Sequence, residues 1–124
     1  MSKLPIIFER IEGAFLFVAM TALYFVLHGQ LWLFVVVLLA VDLSMLGYLV
    51  NDQAGAIIYN TFHNLTLPII VIALGLISYQ LLIFDSIGLI WLAHIGFDRA
   101  LGLGLKYPDG FTHTNLGTIG GKKN

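Results

Sequence analysis

The chain has 124 residues, 59% of them hydrophobic and 10% charged, with a formal net charge of −1. Soluble domains carry about 25% charged and about 45–50% apolar residues, so these proportions exclude a free soluble monomer, and nine Phe, five Tyr and two Trp exclude disorder. The near-neutral charge gives a nucleic-acid partner no electrostatic support, and the lack of Cys removes disulfides, iron–sulfur clusters and a thiol nucleophile.

An integral membrane protein remains, with the lipid bilayer as its main partner. The first apolar segment covers residues 12–27 and stops at His28-Gly29-Gln30, where His28 is expected as a solvated loop side chain. Glu9, Arg10 and Glu12 interrupt the apolar run, so the segment reads as a retained span and not as a cleaved signal. The second segment covers residues 31–50 and ends at Asn51-Asp52-Gln53. A third starts near Ala54 and reaches about Leu82, too long for one straight span. Pro68 is expected to kink or break it, because proline lacks an N–H and clashes with the preceding turn. The fourth covers residues 86–105, with Asp85-Ser86 as its N-cap, and ends at Lys106-Tyr107-Pro108-Asp109-Gly110.

Each segment approximates the roughly 20 residues a helix needs to cross the hydrocarbon, and the short connections make neighbours antiparallel. The expected fold is all-α: a transmembrane four-helix bundle, up-down-up-down, over residues 1–110, followed by a cytoplasmic tail at 111–124. Its end, Gly120-Gly121-Lys122-Lys123-Asn124, reads as frayed. Lys3, Arg10, Arg99, Lys106, Lys122 and Lys123 all lie toward the termini, which the positive-inside rule places in the cytoplasm.

At about 1.5 Å of rise per residue, every helix places polar groups in its cytoplasmic half. These are Glu9 and Glu12, then Asp42, then Asn60 and His63, then His94 and Asp98 with Arg99 beside them. His94 and Asp98 stand about 40° apart on one helix face. Ionisable side chains facing lipid cost about 2.5–3.5 kcal/mol each, so Asp42, His63, His94 and Asp98 must face one another, a metal or water. Two imidazoles and two carboxylates form a ligand set for zinc, manganese or iron. Around such an ion, Glu12 is the candidate general base and Arg99 or Lys106 the anion-binding group, with Asn60 and Tyr59 in support. Hydrolysis of an amphipathic or lipid-like substrate is the reaction class this suits. The alternatives are a proton-relay or transport module acting as an oligomer, and an accessory subunit whose polar core only fixes helix register. Small residues at Gly96, Ala100 and Gly104 form a separate stripe suited to packing against a second copy.

Several motifs resemble one family throughout the chain. They are Arg10-Ile11-Glu12-Gly13, Asp42-Leu43-Ser44-Met45-Leu46-Gly47-Tyr48, Tyr59-Asn60-Thr61-Phe62-His63 with Pro68, Trp91-Leu92-Ala93-His94-Ile95-Gly96-Phe97-Asp98-Arg99, and Gly102-Leu103-Gly104-Leu105-Lys106-Tyr107. They are similar to the domain of unknown function 4260 family (DUF4260) of small bacterial membrane proteins. The resemblance implies a four-helix protein of the bacterial inner membrane and no particular activity. The tail departs from the family pattern at Thr114-Asn115-Leu116-Gly117, where His113 is displaced.

Overall fold

The computed structural model describes residues 3–79 and 81–119. The frayed end expected at 120–124 lies outside the described residues. Among the described residues there are five α-helices, α1 (Leu4–Leu27), α2 (Leu31–Ala40), α3 (Asp52–His63), α4 (Thr66–Ser78) and α5 (Leu81–Ala100). A 3-10 stretch, Val41–Leu49, continues α2 without a gap, and only Asn64 and Leu65 separate α3 from α4. The architecture is therefore four helical rods, the third of them bent. Among the described residues, the rods Leu4–Leu27, Leu31–Leu49 and Asp52–Ser78 are long and apolar enough to cross a membrane. Their outer faces suit lipid, with Phe15, Val26 and Leu49 exposed by 72%, 80% and 84%.

Local chemistry sets the helix ends. The first helix begins at Leu4, well before residue 12, with Pro5 in the opening turn, where a missing N–H leaves no hydrogen bond unmade. It ends where Gly29 adopts a left-handed φ of 78° and the N–H groups of His28 and Gly29 both return to the Tyr24 carbonyl. Asn51 caps α3, its Oδ1 accepting from the Ala54 N–H at 2.7 Å. The last helix begins at Leu81, so Asp85 and Ser86 lie inside it and are not its cap.

Helix α5 is the hub, packed by α1, α2 and α4, while α3 packs on the 3-10 stretch. A Cβ on Gly96 would fall 2.6 Å from the Phe17 nitrogen and 2.7 Å from the Gly13 carbonyl oxygen, so the α1 and α5 backbones touch here. The small-residue stripe expected to meet a second copy is thus occupied from within the chain. Arg10 Nε donates to the Ala100 carbonyl at 3.0 Å, and a Cβ on Gly104 would meet Asn115 and Leu116. Toward the other end of α5 lies an apolar core of Tyr24, Phe34, Leu89, Ile90 and Ala93.

Residues beyond α5 fold back on the bundle. A two-stranded hairpin, β1 (His113–Thr114) and β2 (Gly117–Thr118), pairs antiparallel, and Lys106 bridges to Thr114. Within it, Thr114 and Leu116 are buried.

Candidate metal centre

The break after His63 leaves carbonyls at the end of α3 without helical partners, which nothing in hydrocarbon can satisfy. Side chains take them. Asn64 Nδ2 donates to the Asn60 carbonyl at 2.7 Å and to that of Thr61 at 3.2 Å, and Trp91 Nε1 donates to that of Phe62 at 2.7 Å. Across the gap, the Thr66 N–H donates to Asn64 Oδ1 at 2.7 Å. Pro68 lies three residues past the interruption, inside α4.

His63, the last residue of α3, is held in one orientation by this arrangement. Its ring stacks on Tyr59 at 3.7 Å and 7°. Its Nδ1 lies 3.0 Å from the Tyr59 carbonyl and 3.4 Å from Ser44 Oγ. A carbonyl only accepts, so Nδ1 carries a hydrogen, and Nε2 is the ring atom turned inward. There it meets His94 Nε2 at 3.3 Å, Asp42 Oδ1 at 3.4 Å and Asp98 Oδ2 at 3.4 Å. His94 Nε2 in turn stands 3.1 Å from Asp42 Oδ1 and 3.2 Å from Asp98 Oδ2, the latter across one turn of α5. All four donor atoms lie within 4.8 Å of one another.

With both rings neutral, a lone pair aimed at two carboxylates is repulsive, and either a proton on the imidazole or a metal cation between the groups relieves it. Tetrahedral bonds of about 2.0–2.1 Å place donor atoms about 3.3–3.4 Å apart, close to the 3.1–3.4 Å of these five contacts. The cluster is therefore a buried His/Asp set capable of coordinating a metal ion.

Asn60 fixes the floor of the fold-back segment, donating from Nδ2 to the Lys106 carbonyl at 2.8 Å and accepting the Lys106 N–H on Oδ1 at 2.7 Å. Asn115 repeats the device, its Oδ1 accepting from the Leu105 N–H at 2.8 Å. The Lys106 ammonium is consequently buried, 3.7 Å from the Phe111 ring centroid and 4.7 Å from that of Tyr59. Burial pushes it down to about 8, while the Asp98 and Asp42 carboxylates pull the other way.

Of the other expected site residues, Glu12 and Arg99 share a cleft of about 370 Å³ with Glu9, Gly13, Leu16 and Leu65, and no cluster residue lines it. His28, expected in solvent, is half-buried and pairs through Nε2 with Asp85 Oδ2 at 3.2 Å. Its ring packs beside Tyr24, because the turn after α1 folds over the start of α5. Ser44, Asn64, Phe111 and Asn115 are contributors that sequence reasoning did not place at the site. Asn64, a polar residue just past a helix end, was the one with a readable signal.

A family model described as a domain of unknown function (DUF4260) matches residues 7–119, a span that contains the whole cluster. No curated protein and no solved structure matches the chain.

Proposed function

The chain belongs to the DUF4260 family, and on that premise we propose that it is a metal-dependent membrane hydrolase acting on an amphipathic, lipid-like substrate. One observation carries the reading: two imidazole nitrogens and two carboxylate oxygens converge with five spacings of 3.1–3.4 Å. Asp42, His63, His94 and Asp98 hold one divalent ion, zinc, manganese or iron. Such an ion would lower the pKa of a water bound at an open position toward 7 and so supply a nucleophile. With the imidazoles neutral, two carboxylates cancel the charge of a divalent ion, and Lys106 then leaves the site net positive. That balance favours a phosphate or carboxylate on the substrate. Arg99 and Glu12 serve the reaction from the cleft they share, Arg99 anchoring an anionic group and Glu12 accepting a proton.

In this proposal the four rods alternate up-down-up-down in the bacterial inner membrane, Pro68 sets the bend of the third, and both termini are cytoplasmic. The reading is supported by the Lys and Arg bias and by the helix lengths. The test is elemental analysis of detergent-purified protein, wild type beside His94→Ala and Asp98→Ala. Near-stoichiometric metal in the wild type, lost in both variants, supports it and justifies a hydrolase screen. A folded wild type that takes up no divalent ion, even when supplied, overturns it.

A proton-relay reading has one observation in its favour, the second His–Asp pair at His28 and Asp85. The apolar core of Tyr24, Phe34, Leu89, Ile90 and Ala93 stands against it, because it includes the α5 residues between the two polar groups. As an oligomer it needs a face other than Gly96. Proton flux through liposomes, abolished by Asp85→Asn, would favour it.

A further inference from the structure

We infer that Asp42 is the displaceable ligand of the centre, and that the position it vacates opens toward the bilayer and takes the oxygen-donor head of an amphiphile. The inference rests on the metal-site reading above.

Three of the four donors are built in. His94 and Asp98 share one turn of α5, the most enclosed helix, and their side chains are 7% and 13% exposed. His63 is 3% exposed and fixed by Tyr59 on its face and at its Nδ1. Asp42 differs on both counts. Its side chain is 39% exposed, and it stands near the start of a nine-residue 3-10 run. Runs of this kind seldom exceed three or four residues, because their hydrogen bonds are poorer than those of an α-helix. The two forms differ in rise by about 0.5 Å per residue, so a partial return to α geometry would shift Asp42 relative to the other donors.

A set of four protein ligands closes a tetrahedron and leaves no position for a reactant. Two imidazoles and one carboxylate, by contrast, form a ligand set known to keep open positions. Releasing Asp42 converts the first arrangement into the second. The surroundings define what replaces it. Leu39, Leu43 and Leu46 lie within four residues of Asp42 and are exposed by 62%, 64% and 59%, so the helix face adjoining its own faces hydrocarbon. A part-exposed carboxylate among lipid-facing leucines is unfavourable without a polar cover. A single-chain amphiphile meets both demands, its head on the ion and its tail along the leucines.

The test uses full-length protein loaded with Co2+ in an uncharged detergent, where visible absorption reports coordination. Asp42→Asn and Asp42→Ala should each retain one Co2+ within about tenfold of wild-type affinity, whereas Asp98→Asn should lose more than about 100-fold. Decanoate should change the wild-type spectrum at concentrations where acetate does not. Loss of Co2+ in the Asp42 variants equal to that in Asp98→Asn overturns the inference and leaves the metal centre standing. An acetate response as strong as that to decanoate overturns the bilayer-facing position, and this arm needs no variant to fold. Failure of the wild type to bind Co2+ overturns the metal-site reading itself.

Discussion

At the scale of single residues, Asn60 and Lys106 carry consequences for the folding of the segment beyond α5. The Asn60 amide makes two hydrogen bonds to the Lys106 backbone, one given and one received. Asn60→Ala leaves a buried N–H and a buried carbonyl unpaired, each costing about 1–3 kcal/mol. The melting temperature in detergent should fall, and protease should cut the segment after α5 sooner than in the wild type. Unchanged melting and unchanged cutting would mean the bracket holds nothing. Lys106 gives a pH signature. Its folded-state value is about 8 against an ordinary 10.5 because burial disfavours the ammonium. Between those values the unfolded chain binds more protons than the folded one, so stability rises with pH across that window and the penalty is complete below it. Lys106→Met removes the titrating group, so its melting temperature should gain less than that of the wild type between pH 7.5 and pH 10.5. Parallel slopes for the two proteins would show that Lys106 is not desolvated in the fold.

At the scale of elements, the contact between α1 and α5 is the one that tolerates least. Gly13 and Gly96 bring the two backbones together, and an added Cβ at either meets main-chain atoms under 3 Å away. Gly96→Ala must push the helices apart, at about 1–3 kcal/mol for overpacking. The expected result is a lower melting temperature with no change in oligomeric state by light scattering. A change of oligomeric state with unaltered melting would return Gly96 to the role its spacing first indicated. That spacing was legible, since small residues recurring along a helix mark close approach, but the identity of the partner was not. The pairing of His94 with Asp98 was legible for a similar reason, the i,i+4 interval on a helix being fixed geometry. Depth along each helix also brought Asp42 and His63 to the same level. The conversion of α2 into a 3-10 run at Val41 was not read from the sequence, although the uninterrupted apolar run ends there at Asp42, Ser44 and Gly47. At the bend the interruption falls at Asn64-Leu65, in the turn before Pro68, where asparagine and tryptophan side chains take the freed carbonyls. The burial of Lys106 by the segment beyond α5 depends on contacts far apart in the chain, such as Asn60 with Lys106, which no local pattern encodes.

At the scale of the whole molecule, α5 joins two polar groups of opposite fate. Toward one end Asp98 belongs to the four-donor cluster, and toward the other Asp85 pairs with His28. The stretch between them is among the most buried in the chain, with Ile90 and Ala93 fully enclosed. The proposed topology makes the cluster end cytoplasmic and the His28 end external, and it requires α5 to cross the membrane like the three rods before it. Because the sequence has no Cys, single cysteines can be introduced without background. Gln30→Cys and Tyr79→Cys should react with a membrane-impermeant maleimide on intact cells, Tyr79 being 92% exposed. Lys3→Cys, Gln53→Cys and Tyr107→Cys should react only in inverted vesicles. Tyr107 decides the matter. If only the three rods cross, the chain after α4 stays outside and Tyr107→Cys labels from the same side as Tyr79→Cys. Lys106 would then be parted from Asn60, which lies near the cytoplasmic start of the third rod, so that outcome overturns both the proposed topology and the bracket between them. Labelling of Tyr107→Cys from the cytoplasmic side alone puts the centre and Arg10, Arg99 and Lys106 on one face, where the attraction of cations to the anionic inner leaflet adds to the packing that holds α5 in place.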